Sequence, residues 1–257
     1  MKKLVIIFFL LIGFSTVIFA QANIFRPPAF IENNVLTEEQ KAAGWILLFN
    51  GQNFDGWRQY NQPTMAPFWS IDQEAMRISA MADRPPRVEG EPRQPSSCIV
   101  FDQIFENFEL SIDWMAGFRA NSGIFILVQE VPGERIFQRS LEFQVLDNWH
   151  AGDNRNASHL AGSLYGIIPA FPQVAMPHNM WNRSVIRLKD GHLTHHLNGV
   201  KVVEVTLWTP EWDEIFGRSH ISRWETMADG VQRSGFIGLQ DHQDFPVWFR
   251  NIKIREL

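Results

Sequence analysis

Cysteine is nearly absent: Cys98 is the single one in 257 residues. No internal disulfide can close, so the fold must be held by core packing alone. Tyrosine is also scarce, with two residues against ten Trp and 21 Phe. Phe fills a core, whereas Trp adds a flat face and an N–H that suit both packing and stacking on sugar C–H faces. Trp45, Trp114 and Trp248 are read as structural. No stretch rich in Ser, Gly or Pro divides the chain, which favours a single domain. The net charge is −5 and the basic residues are scattered, so the footprint of a nucleic-acid binder is missing. Nor is there a nucleophile elbow, a phosphate loop or a His-Glu-x-x-His helix. Acyl transfer and phosphoryl transfer are thereby left without support. His192, His195 and His196 fall in a predicted strand, where residues four apart do not meet as they would on a helix.

What the chain does have begins with a leader pattern. Lys2 and Lys3 precede an apolar run from Leu4 to Phe19, broken only by Gly13, Ser15 and Thr16, and Ala20 stands before Gln21. This order predicts a signal peptide over residues 1–20, cleaved after Ala20, and an exported protein of the periplasm or extracellular space. The rival reading, an uncleaved anchor, lacks a basic stop-transfer cluster, so no stable membrane insertion is expected once the leader is removed. Residues 21–36 read as irregular, with Pro27 and Pro28 opposing regular pairing, and residues 37–257 as one β-domain. Thr37-Glu38-Glu39-Gln40 has the form of a capping box and predicts a short helix that stops at Gly44.

Beyond that helix, short apolar or alternating runs recur between turn residues. They predict strands over 45–49, 68–71, 75–79, 98–101, 108–115, 122–129, 141–146, 164–168, 181–189, 192–197, 201–206, 236–240 and 247–257. This is the pattern of an all-β, antiparallel β-sandwich. Asp190-Gly191 and Asn198-Gly199 between alternating runs predict two hairpins and a three-strand meander over 181–206. Two stretches carry no such pattern, 82–95 and 207–234. The second bears Trp208, Trp212 and Trp224 and is read as a rim over a site.

Strand alternation places the candidate chemistry. In 141–147, Leu141, Phe143 and Val145 share one face, while Glu142 and Gln144 share the other, either solvated or lining a groove. Asn148, Trp149, His150 and Asp153 follow at the strand end, where functional residues concentrate. Asn121-Ser122-Gly123 opens another apolar strand, and Gly123 would permit close approach. Gln240 and His242 share a face, as do Trp248, Arg250 and Ile252. The imidazole beside Asp241 could serve as acid, base or metal ligand. A retaining glycosidase needs two carboxylates about 5–5.5 Å apart. Here the position alternate to Glu142 holds Gln144, and Asp147 falls on the opposite parity.

Taken in order, these segments resemble the 3-keto-disaccharide hydrolase domain family. The resemblance runs from Gly44-Trp45 through Leu48-Phe49-Asn50-Gly51 to Gly56-Trp57, then through Asn121-Ser122-Gly123-Ile124-Phe125 and Glu142-Phe143-Gln144-Val145-Leu146-Asp147-Asn148. It resumes at Ala161-Gly162-Ser163-Leu164-Tyr165, Trp181-Asn182, Leu197-Asn198-Gly199, Gly238-Leu239-Gln240-Asp241-His242 and Phe249-Arg250-Asn251-Ile252. The chain departs at Gln243, where the family usually has Gly, and over 207–234. The resemblance implies a concanavalin-like jelly roll acting on an oligosaccharide or glycoside. It also implies cleavage of 3-keto-glycosides by elimination across C1–C2 and hydration. Glu142 is then the expected base, with His242, Arg250 and Tyr165 as partners of the enolate or of the leaving group. Asn121, Gln144, Asp147, Asn148, Gln240 and Trp149 are the expected sugar-binding residues. A divalent metal held among Glu142, Asp147 and His242 is a possible cofactor that the sequence leaves open, and a non-catalytic lectin-like module of the same fold is the alternative function.

Overall fold

The structure, a computed structural model, describes residues 32–85, 97–242 and 245–257. The predicted leader, most of the irregular segment before residue 36, residues 86–95 of the first patternless stretch and Gln243 lie outside the described residues. Residues Glu32–Leu257 cluster as one unit.

The chain runs α1 (Glu38–Ala42), β1 (Ile46–Leu47), β2 (Trp57–Gln59), β3 (Trp69–Asp72), β4 (Ala75–Ile78), β5 (Ile99–Phe105), β6 (Phe108–Ala116) and β7 (Asn121–Val128). It continues with β8 (Leu141–Leu146), β9 (Asn182–Lys189), β10 (His192–Leu197), β11 (Val200–Thr206), α2 (Pro210–Arg218), β12 (Gly235–Leu239) and β13 (Val247–Glu256). An eight-stranded sheet has the order β11-β10-β9-β6-β13-β4-β3, with β1 added on β13, and a five-stranded sheet has the order β2-β5-β12-β7-β8. Every pairing is antiparallel. The all-β sandwich and its short N-terminal helix are therefore as expected. Thr37 caps α1 reciprocally with Gln40, and Asp190 and Asn198 adopt the positive φ of hairpin turns, 49° and 51°.

Between the sheets lies the main core, in which Trp114, Phe108, Phe143, Phe249, Ile112 and Ile124 are fully buried. Full burial of one such side chain contributes roughly 1.5–3 kcal/mol. The ring of Trp114 keeps its N–H satisfied by donating to Ser184 Oγ at 2.7 Å. On the other face of the five-stranded sheet a second cluster, including Tyr60, Val100, Phe125, Val128 and Ile136, is covered by the 129–140 segment. All residues of β7 and β8 are consequently buried, although one face of each points away from the main core.

Three departures from the sequence expectation have physical causes. The predicted strand over 164–168 is only a pair of isolated bridges, because the segment runs irregularly along β8. There Gln144 N–H donates to Ser163 O and Tyr165 N–H to Glu142 O. In β13 the register shifts after Arg250, with Asn251 at a φ of 53°. Ile252 therefore turns into the core while Trp248 and Arg250 stay on the outer face, so the three do not share a face as alternation predicted. Finally, 207–234 contains α2, announced by Thr209 at the N-cap and Pro210 in the first turn, signals that the sequence reading passed over. Trp212 and Phe216 of α2 pack into the core instead of forming a rim. Among the described residues no helix is long and apolar enough to cross a membrane.

His195 ties the irregular segment to the eight-stranded sheet. It is fully buried, lies 4.8 Å from the Phe143 ring and donates from Nδ1 to Gly162 O at 3.0 Å. Burial pushes its imidazole down to about 4, so it stays neutral at neutral pH. Below the unfolded-state value near 6.5 the unfolded chain takes up a proton that the folded chain refuses, so stability falls as pH drops from about 6.5 towards 4. The loss should reach the order of 3 kcal/mol. Thermal melts of His195→Gln, which can still donate to Gly162 O, are expected to lose this part of the acid sensitivity; an unchanged slope between pH 7 and 4 would contradict the assignment.

Candidate functional site

The outer face of the five-stranded sheet holds a cavity of about 280 Å³. Its polar lining comes from adjacent strands: Asn121 on β7, Glu142 and Gln144 on β8, and Gln240 and His242 just past β12. Tyr165 closes one side from the segment beside β8, and Phe137, His220 and Trp224 wall the rest. The register explains the grouping. Asn121 pairs with Leu146, Gly123 with Gln144 and Phe125 with Glu142, so the outward residues of both strands rise next to one another.

Glu142 is the centre of this arrangement. It is only 8% exposed and makes no salt bridge to any described residue. Burial first, and the negative charge of Asp153 second, push its carboxyl well above the usual range. Gly123 makes room for it, since a Cβ there would stand 2.2 Å from Glu142 Oε1. Any other residue at 123 must displace the carboxylate.

Around Glu142 stand groups whose hydrogen-bonding capacity is unused. The Oε1 atoms of Gln144 and Gln240 are buried without a partner, although Gln144 donates from Nε2 to Asn121 Oδ1 at 3.3 Å. Buried acceptors of this kind are costly unless a ligand supplies the donor. Sugar hydroxyls are such donors.

Tyr165 donates its phenolic hydroxyl to Asp153 Oδ2 at 3.2 Å, and His159 Nδ1 meets the other oxygen of Asp153 at 2.7 Å. The Tyr165 ring stacks on His159 with 4.5 Å between centroids. Burial, then the charges of Asp153 and Glu142, push the phenol upward, so it is a proton donor at neutral pH. His220 sits opposite, where its Cε1 would lie 2.4 Å from a Cβ at Gly166; burial and His159 lower its pKa. Trp224 packs edge-on against Phe137 at 5.3 Å and completes the wall.

The position of His242 is set from behind. Asp241 forms a buried bidentate pair with Arg84, at 2.7 and 2.8 Å, and Ser122 Oγ donates to Gln240 O at 2.7 Å. Asp241 thus serves Arg84 and the strand end.

Of the residues singled out in the sequence, Glu142, His242, Tyr165, Asn121, Gln144 and Gln240 are brought together in this cavity. The others lie elsewhere. Arg250 is on the outer face of the eight-stranded sheet, its guanidinium 3.8 Å from the Trp181 ring centroid, and burial lowers its pKa. It does not line the cavity, because β13 belongs to the opposite sheet. Asp147 turns inward past the end of β8 and accepts from Arg119 N–H at 2.9 Å. Asn148 Oδ1 accepts from Ala161 N–H at 2.8 Å, and Trp149 is half exposed. Glu142, Asp147 and His242 therefore do not converge as a metal set. Conversely, the sequence reading missed His220, Phe137 and Ser140, which carry no periodic signal, and Asp153 and His159 in their position behind Tyr165. From the 207–234 stretch, Trp224 and its neighbours His220 and Ile221 do reach the cavity.

Known proteins resemble the chain in sequence and in fold. A curated relative, the 3-keto-disaccharide hydrolase of Bacteroides thetaiotaomicron, is 34% identical over 237 residues, covering 84% of this chain and 79% of that protein. A crystal structure from Parabacteroides distasonis, of a protein provisionally designated a glycosyl hydrolase, superposes with a TM-score of 0.77 at 28% identity, covering 88% of this chain and all of the other, 100%. A second structure from that organism, with the same designation, gives a TM-score of 0.62 at 27% identity, covering 83% and 99%. Residues 44–255 match the 3-keto-alpha-glucoside-1,2-lyase-like domain, and the chain belongs to that family.

Proposed function

We propose that this protein cleaves 3-keto-glycosides, with Glu142 as the base that removes the proton from sugar carbon 2. The observation that carries this reading is a buried carboxylate with no Lys or Arg partner among the described residues, set among unsatisfied amide oxygens in a cavity of sugar size. The family and its curated relative support a 3-keto substrate.

The chemistry follows from the ketone. A carbonyl at carbon 3 acidifies the hydrogen on carbon 2, and Glu142 takes that proton. The electron pair of the C2–H bond becomes the C1=C2 double bond as the C1–O bond breaks, and the leaving oxygen takes up a proton. Tyr165, oriented by Asp153 and protonated at neutral pH, can supply it; His220 and His242 face the same space. Water then adds across C1=C2, returning a proton to carbon 2, and the net result is hydrolysis. One base suffices, which suits a cavity that Glu142 alone lines with a carboxylate among the described residues. The raised pKa of Glu142 also strengthens it as a base once ionised. Asn121, Gln144 and Gln240 would hold the ring hydroxyls, and Trp224 with Phe137 would cover an apolar sugar face.

The test is sugar release from a 3-keto-glucoside beside the unoxidised glucoside. Release from the oxidised substrate alone is expected; equal release from both would sink the proposal, and binding without turnover would make the cavity a recognition site of the lectin kind. Glu142→Gln should lower kcat by about 10²- to 10⁴-fold with little change in substrate affinity. Because the base must be ionised and its pKa is raised, kcat/KM should climb with pH well above the ordinary carboxylate range before levelling, and a profile already flat at pH 5 would contradict this. Gly123→Ala, which displaces the Glu142 carboxylate by occupying its space, should reduce kcat at least about tenfold while the melting temperature moves little; unchanged kcat would refute the positional role.

A further inference from the structure

The turn after β8 carries a second cluster that the reaction above does not use. The side chain of Asp147 is fully buried, with no Lys or Arg ion pair among the described residues; its carboxylate instead faces two imidazoles. His150 Nδ1 lies 3.1 Å from Asp147 Oδ2, and His178 Nδ1 lies 3.6 Å from the same oxygen. The ligand atoms of all three residues lie within 4.8 Å of one another.

We propose that Asp147, His150 and His178 bind a divalent transition-metal ion of the borderline class, zinc or a close relative. Two imidazole nitrogens and one carboxylate oxygen are the donors such an ion takes. With metal–ligand bonds of about 2.0–2.2 Å, the edges of a tetrahedron measure about 3.3–3.5 Å. The observed separations of 3.1 and 3.6 Å bracket that value. His178 Nδ1 is buried yet accepts and donates no hydrogen bond, a nitrogen aimed at the cluster without a partner.

The supporting shell is in place. Asp147 accepts from the backbone N–H groups of Arg119 at 2.9 Å and Trp149 at 3.2 Å, which orient its carboxylate. His178 is fixed through its neighbour, since Asn179 N–H donates to Ala116 O at 2.8 Å. The turn Asp147–Ala151 sets His150 through the Ala151 N–H bond to Asp147 O at 3.1 Å. Phe118 lies 4.8 Å from the His150 ring and 5.3 Å from the His178 ring, an apolar wall on one side. The His150 and His178 side chains are 44% and 29% exposed, so an ion can enter and a water can fill the fourth position.

The consequence in this fold is mechanical. His178 precedes β9 in the eight-stranded sheet, while Asp147 and His150 begin the loop that carries Asp153 to Tyr165. An ion would clamp the two segments together and steady that loop.

The inference stands apart from the sugar reading, and its test does not measure activity. The purified chain, stripped with EDTA, is titrated with Co²⁺ and followed by its d–d absorption, and by melting temperature with Zn²⁺. One ion per chain is expected, with a rise in melting temperature. His178→Ala and His150→Ala should each weaken binding at least about tenfold and abolish the rise, while their metal-free melts match the metal-free wild type. His178→Gln serves if an alanine variant fails to fold. His159→Ala, behind Tyr165, should leave the Co²⁺ spectrum intact. Absence of binding at tens of micromolar free metal, or a spectrum that survives in the His150→Ala/His178→Ala pair or vanishes in His159→Ala, would overturn the assignment.

Discussion

A carboxylate held out of water without a cation is the constraint on which the rest of the site depends. Burying a charge is costly, and proteins normally relieve the cost with an ion pair or a metal. No Lys or Arg among the described residues supplies that ion pair to Glu142, and the buried carboxyl responds by holding its proton more tightly. The surrounding structure is arranged around this tension. Gly123 vacates the space, the segment beside β8 seals one flank, and His195 anchors that segment to the far sheet. The buried guanidinium of Arg84 is paired with Asp241 and not with Glu142.

The contrast between the two buried acids near the ends of the same strand is instructive. Asp147 has backbone donors on both oxygens and imidazoles alongside, whereas Glu142 has unpaired amide oxygens and a phenol in its vicinity. Alternation separates them: they stand an odd interval apart, so without a bulge they fall on opposite faces. One acid faces the cavity; the other is turned inward at the strand end. The same five-stranded sheet thus offers two environments of different chemistry within one short run of sequence.

Much of this was legible beforehand. The period-two pattern of Leu141–Leu146 assigned Glu142 and Gln144 to a common face, and the Gln240/His242 pairing held because no bulge intervenes there. Asp190-Gly191 and Asn198-Gly199 fixed the meander because their turn chemistry is local. Arg250 was misplaced because sequence alternation does not say which sheet a strand joins, and the bulge at Asn251 then broke the expected grouping with Ile252. His220, His159 and the pairing of His159 with Asp153 were invisible because they come from irregular segments, where only tertiary packing decides direction. The second patternless stretch mixed both cases, giving a capped helix whose Trp212 is core and a following turn whose Trp224 is wall.

The role proposed for Glu142 requires that bond cleavage proceed through loss of the carbon 2 proton. The most direct measurement is the isotopic content of the sugar released from a 3-keto-glucoside in D₂O, analysed at once by NMR against an enzyme-free control. Elimination and hydration predict one solvent deuterium at carbon 2 of every molecule released. Product retaining its original hydrogen at carbon 2 would show direct displacement at carbon 1 and contradict the role assigned to Glu142.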